Sequence, residues 1–100
     1  MTPGLPVLTN DTIVVRRNEL PAARLAETVL AVMNAERNHY FGMEDAAARI
    51  WELLETPVSI GSLCMRLVEE YDIDQMRCRN EVMHFLTDAA GEDLIRIECA

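Results

Sequence analysis

Apolar positions change their period midway along the chain. In the first half, β-branched or alternating runs at residues 12–17, 28–34 and 39–43 predict three strands. The run at 28–34 is apolar on both faces, which is typical of a strand that is covered on both sides. Because a short polar segment separates it from 39–43, these two runs are expected to form an antiparallel hairpin. Residues 18–27, which contain Pro21, are interpreted as either a loop or a short helical turn.

The second half has a helical period that starts at Glu44. One apolar stripe at i, i+3, i+4 and i+7 predicts a first helix that ends at Pro57. The residues of this stripe are Ala47, Ile50, Trp51 and Leu54. Trp51 lies in the middle of the stripe and is therefore expected in the core. The carboxylates of Glu44 and Asp45 are explained by the dipole at the expected helix start.

Two further helices are predicted from their capping residues. Ser59 is the expected N-cap of the second helix, which the segment 72–74 ends. Asp74 is the expected N-cap of the third helix, and Gly91 is placed to terminate it. The residues after it, 93–99, are expected to add a final strand or to lie extended.

These elements predict an α+β fold, in which a three-stranded antiparallel sheet is followed by a three-helix bundle, in the manner of a winged helix-turn-helix. Residues 1–11, with Pro3, Gly4 and Pro6, are expected to form a flexible N-terminal segment, and residues 12–100 a single domain. Such a sheet has a free edge, and a free edge strand is a template for another chain.

The composition and charge of the chain limit the classes of partner that are expected. The chain has 100 residues, half of them apolar, which suffices for one modest core. Its net charge of −8 repels phosphate, so neither nucleic acid nor an anionic membrane is an expected partner. The three cysteines lack metal-ligand or redox spacing, and the N-terminal residues lack the pattern of a signal peptide. A cytoplasmic protein with reduced thiols is expected.

Residues with catalytic chemistry are few and scattered. His39 and His84 are the only histidines, and neither has a Cys, Asp or Glu at the spacing of a metal site or a nucleophile-base pair. The four glycines form no phosphate-binding loop. We therefore expect no enzyme activity, no catalytic or metal-binding residues and no cofactor.

A winged-helix DNA-binding regulator is the main alternative. Its third helix would have to face phosphates with Arg77, Arg79 and His84. The acidic residues around them oppose that role. These residues are Glu81, Asp88, Glu92 and Asp93.

Four features follow one another between residues 40 and 74: the strand 40–43, the helical run 48–54, the cap Ser59 and the segment 70–74. In this order they resemble the PqqD-like family. Members of that family are stand-alone recognition elements for ribosomally synthesised and post-translationally modified peptides (RiPPs), and they include the lasso-peptide B1 proteins. The total extent of the resemblance is about residues 28 to 90. Glu44 departs from the family pattern, which usually has Asn there.

The resemblance implies a peptide-binding module. The leader segment of a precursor peptide would add as a strand to the third strand of the sheet and lie against the last helix. The module would then present it to a tailoring enzyme, with the leader peptidase of a lasso-peptide pathway preferred. A subunit that only stabilises such an enzyme, without binding peptide, is the other alternative.

The expected peptide-binding residues lie on two elements. On the strand, Tyr40 and Phe41 are expected to face opposite sides, and Gly42 leaves the backbone uncrowded. On the third helix, a stripe beside the core offers adaptable methionine side chains, although Met83 is equally compatible with the core. The full set is His39, Tyr40, Phe41, Gly42, Met43, Met76, Arg79, Asn80, Met83 and Thr87. The free edge also allows a homodimer by strand pairing or by a swapped N-terminal strand.

Overall fold

A computed structural model of the chain describes residues 8–98, so most of the segment 1–11 lies outside the described residues. Within that range there are three helices and six strands. They are β1 (Ile13–Arg16), β2 (Ala22–Ala26), β3 (Val29–Asn34), β4 (His39–Glu44), α1 (Ala46–Leu53), β5 (Val58–Ser59), α2 (Ile60–Tyr71), α3 (Gln75–Gly91) and β6 (Ile95–Glu98). The α+β class with a three-stranded antiparallel sheet and three helices is confirmed.

The strands form two antiparallel sheets of three. One has the order β2-β3-β4, and its β3-β4 pair is the expected hairpin. The other has the order β5-β1-β6. The predicted first strand is thus present as β1, but it pairs with β5 and β6 rather than with β3. Buried Val14 attaches this second sheet to the core.

The segment 18–27 contains a strand, β2, and its interpretation as a loop or helical turn was wrong. All five side chains of β2 are exposed. Because none of them has to be buried, the sequence of β2 does not show the apolar-polar alternation that marks a half-buried strand. Its backbone pairs with β3 from Ala22 to Ala26 instead. A tertiary pairing partner, rather than local propensity, makes this segment a strand.

The core lies between the β2-β3-β4 sheet and the helices. Trp51 is 2% exposed, as its position in the apolar stripe predicts, and the guanidinium of Arg16 lies 5.6 Å from its ring centroid. Leu30, Val32 and Met43 supply the sheet side of this core. The helices therefore cover one face of the sheet and leave the other open.

Helix α1 begins at Ala46, two residues later than predicted. The N–H of Asp45 donates to the Thr28 carbonyl oxygen at 2.9 Å, so the β3-β4 pairing extends through Glu44. Asp45 then turns the chain with a φ of 52° and makes no side-chain capping bond. Glu44 is therefore a strand residue and Asp45 is the N-cap of α1, so neither lies in the first helical turn, where the dipole explanation had placed them.

The predicted caps of the other helices are confirmed. Ser59 accepts a hydrogen bond from the N–H of Ser62 at 3.2 Å, and Asp74 accepts one from the N–H of Arg77 at 3.1 Å. Helix α3 ends at Gly91, as predicted, but the left-handed residue that closes it is Asp93, with a φ of 60°. The Leu94 N–H then donates to the Ala89 carbonyl, which directs the chain into β6.

Candidate functional site

Strand β4 is an edge of its sheet with a regular, six-residue register against β3. Because the Asp45 N–H points to Thr28 and strand residues alternate, the backbone groups of Phe41 and Met43 face β3. Those of Tyr40, Gly42 and Glu44 face away from the sheet. Among the described residues, no strand pairs with this side of β4. It offers a row of backbone donors and acceptors to another chain.

The opposite edge of the sheet, β2, is less suited to strand addition. Its register shifts between Arg24 and Ala26, and Pro21 lies directly before it. A bulge and a proline are features that discourage a further strand from pairing with an edge. The regular edge is β4.

A groove lies between β4, α1 and α3 and continues between the two helices. It consists of two adjoining cavities of about 400 Å³ and about 210 Å³, which share Ala47, Phe85 and Asp88. Cavity A, the larger, is lined by Ala46, Ala47, Ile50, Asn80, Glu81, His84, Phe85 and Asp88. Cavity B is lined by Phe41, Gly42, Met43, Ala47, Phe85, Asp88, Ala89, Glu92 and Leu94. Cavity B is the part of the groove that borders β4.

The groove has an apolar floor and an acidic lip. The floor includes Phe85, Ile50 and Met43. The lip consists of three carboxylates, those of Glu81, Asp88 and Glu92. Asn80, His84 and Asp88 share one face of α3 because they are four residues apart. The arrangement suits an extended peptide with apolar side chains.

Comparisons with known proteins identify the family of the chain and a solved structure with the same fold. Residues 29–95, well over half of the chain, match the model of the PqqD family, coenzyme PQQ synthesis protein D. The chain belongs to the PqqD family. The fold is also that of a solved structure, TbiB1 in complex with the TbiA(beta) leader peptide, with a TM-score of 0.73 and 21% sequence identity. The match covers 82% of this chain and 94% of that chain. The search of curated proteins gave no match.

This PqqD family member holds the predicted strand residues at the groove edge, but on different faces. Phe41, Gly42 and Met43 line cavity B, and Met43 is buried. Tyr40 lies on the open face of the sheet, where it borders a cavity of about 750 Å³ with Met33. The ring of His39 is exposed and lies 5.9 Å from that of Phe41.

The predicted residues of α3 are divided between several surfaces. Asn80 lines cavity A. Arg79 instead contacts Asn10 on the far side of the helix, Met83 packs against the core, and Met76 is 73% exposed. Thr87 is exposed. None of these last four lines cavity A or cavity B. Contact of any of the ten residues with a peptide stays a prediction.

Sequence reasoning did not assign the residues that form the centre of the groove. Ala47 belonged to a predicted core stripe, and Phe85 was not among the expected peptide-binding residues, yet both line the two cavities. Asp88 was considered only as one of the acidic residues that oppose DNA binding by the third helix. The available signal was the i, i+4 series of Asn80, His84 and Asp88 beside Phe85, a polar row that borders an apolar one.

The described residues contain no arrangement suited to thiol or metal chemistry. Cys64 and Cys78 are free, and burial raises the pKa of both thiols, so neither is activated as a thiolate. Within residues 8–98, no cluster of His, Cys, Asp and Glu has the arrangement of a metal site. No helix in that range has the length and apolar character needed to cross a membrane.

Proposed function

We propose that the chain binds the leader segment of a ribosomally synthesised precursor peptide and presents it to a tailoring enzyme. The observation that carries the proposal is the regular outer edge of β4, with which no strand among the described residues pairs, beside an apolar groove. Membership of the PqqD family and the likeness to TbiB1 with its leader peptide support it. The preferred enzyme is the leader peptidase of a lasso-peptide pathway, and the chain itself contributes no catalytic group. The reaction setting is the cytoplasm, where reduced thiols persist.

The pairing geometry follows from the register of β4. The leader backbone bonds to the outward groups of Tyr40, Gly42 and Glu44. Leader residues opposite Phe41 and Met43 direct their side chains into the groove, while the alternate ones lie on the open face of the sheet. Backbone bonds then supply affinity, and the groove selects among sequences.

A titration tests the proposal. The isotope-labelled protein is titrated with the leader segment of the precursor encoded beside its gene, and amide chemical shifts are followed by NMR. We expect shifts concentrated at residues 39–45 and 80–92. The same peptide in scrambled order is the control. No shift at about 100 μM peptide, a concentration that reveals even a weak complex, would contradict leader binding.

A proline substitution tests the edge itself. Gly42→Pro removes an outward N–H of β4 without removing a bond to β3, and prolines are tolerated on edge strands. We expect it to weaken leader binding about tenfold or more, because one backbone bond is lost and the ring obstructs the incoming strand. Circular dichroism verifies that the variant is folded.

The matched control is Ala22→Pro on β2. The Met33 N–H donates to the Pro21 carbonyl oxygen, so the alternation directs the N–H of Ala22 away from β3 as well. This variant should bind the leader like the parent protein. Equal effects of the two prolines, or a larger effect at Ala22, would exclude β4 as the docking edge.

Delivery to an enzyme is tested by pull-down with the peptidase encoded nearby, with and without leader peptide. A presenter is retained more strongly when the leader is present. Retention that is equal with and without the peptide favours the scaffold alternative.

Homodimerisation through β4 stays a prediction. It is measured by light scattering, in which added leader should dissociate a strand-paired dimer.

A further inference from the structure

The lip of the groove carries one sign of charge. Glu81, Asp88 and Glu92 line its two cavities, and no arginine among the described residues does so. The floor beneath them is apolar and includes Phe85, which belongs to both cavities. An occupant must therefore satisfy carboxylates as well as cover apolar surface.

The three carboxylates differ in how far the chain itself neutralises them. Glu81 has Arg77 as an ion-pair partner at 3.3 Å, and Glu92 has Arg37 at 3.9 Å. Asp88 is paired with His84, at 3.3 Å, and a histidine is cationic only when protonated. Asp88 is thus the carboxylate of the lip with no arginine partner among the described residues, and its side chain is 68% exposed.

The position of Asp88 suits a basic side chain of the peptide. It lines both cavities together with Phe85, and it shares cavity B with Met43, opposite which leader side chains would enter the groove. A lysine or arginine there can lay its methylene stem on the apolar floor and bring its cation to the carboxylate. Residues two positions before and after it face the same side and can fill the two cavities with apolar groups.

We infer that the groove selects a leader segment with a lysine or arginine that faces Asp88, flanked at alternate positions by apolar residues. This inference rests on the proposed function and adds the chemical class of peptide that the groove prefers. The apolar cavities alone would accept any apolar sequence, and Asp88 supplies the polar discrimination.

The test selects binders from a displayed library of random linear peptides. Three proteins are compared: the parent chain, Asp88→Lys and Glu69→Lys. Glu69 is an exposed residue of α2 outside the groove. Because each variant replaces one carboxylate by one lysine, the two variants change the net charge equally. We expect the parent chain and Glu69→Lys to enrich basic residues between alternating apolar ones. Asp88→Lys should lose this enrichment or favour acidic residues.

The outcomes separate the two proposals. If no peptide is enriched on any folded protein, the proposed peptide-binding function is contradicted. If peptides are enriched without basic residues, or if Asp88→Lys keeps the same basic preference, the function stands and the role of Asp88 is wrong. Equal loss in both variants would show that overall charge, not Asp88, attracts the peptide.

A double-mutant cycle then measures the contact. Replacement of the selected basic residue by glutamine should weaken binding to the parent chain about two- to fivefold, the range of an exposed ion pair. The same replacement should have no effect on Asp88→Asn. The difference should shrink at high salt, because solvent-exposed pairs are screened. An equal loss with both proteins would overturn the assignment.

Discussion

At the scale of single residues, Asn34 is the most unusual buried group. Its side chain is fully buried at the end of β3, and its amide Nδ2 donates to the Glu92 carbonyl oxygen at 3.3 Å. Its Oδ1 has no hydrogen-bond partner among the described residues. The amide therefore joins the β3-β4 hairpin to the C-terminal end of α3, where the groove ends, at the cost of one unsatisfied acceptor.

Two substitutions separate the parts of this interaction. Asn34→Asp removes the donor to Glu92 and buries a carboxylate, so we expect it to lower the free energy of unfolding by about 3 kcal/mol or more. Asn34→Leu loses the donor but also the unsatisfied oxygen, and about 1 kcal/mol is expected. Urea denaturation at neutral pH measures both. An aspartate variant as stable as the leucine variant would show that burial of a carboxylate at this position carries no cost.

At the scale of elements, α1 and α2 are joined by a two-point ion pair. Arg49 donates from Nε to Oε1 of Glu70 at 2.7 Å and from Nη2 to Oε2 at 3.0 Å. These bonds hold the pKa of Glu70 below its usual value and raise the pKa of Arg49. The pair fixes the helix that carries Ala47 and Ile50, two residues of the groove floor.

The ion pair predicts a pH-dependent stability difference. Since the pKa of Glu70 is lower in the folded chain than in the unfolded one, its stabilisation is complete above the unfolded pKa. It is lost as the pH falls through the folded pKa. Glu70→Gln should lower the free energy of unfolding by about 0.5 to 1 kcal/mol at neutral pH and by less in acid. Glu69→Gln, at an exposed neighbour, is the control. A pH-independent difference would contradict this origin.

At the scale of the whole molecule, charge opposes the DNA-binding alternative. The net charge is −8, and the basic residues of α3 are engaged within the chain: Arg77 with Glu81 and Arg79 with Asn10. The same helix carries the acidic lip of the groove. The charge of this helix therefore opposes contact with phosphates.

We expect no retardation of duplex DNA in a gel-shift assay at low salt, where electrostatic binding is strongest. A basic winged-helix protein at the same concentration is the positive control. Retardation that disappears as salt is added would revive the regulator hypothesis.

Local signals account for the parts of the fold that were predicted. Ser59 and Asp74 cap helices through bonds to residues three positions along the chain, so their role is readable without tertiary structure. The burial of Trp51 follows from the helical stripe around it. Strand β2 has no such signal, because its exposed side chains neither alternate nor pack and its pairing with β3 is non-local.

The sequence by itself determined the types and order of most elements, the family resemblance and the strand at residues 39–43, which the structure extends to Glu44. The tertiary structure alone decided which sheet β1 joins and which face of α3 borders the groove. The helix packs through Cys78, Val82 and Leu86, and this packing turns Asp88 toward β4 and leaves Arg79 on another side. Several stripes of a helix can lie beside its core stripe, and only contacts between distant segments choose among them.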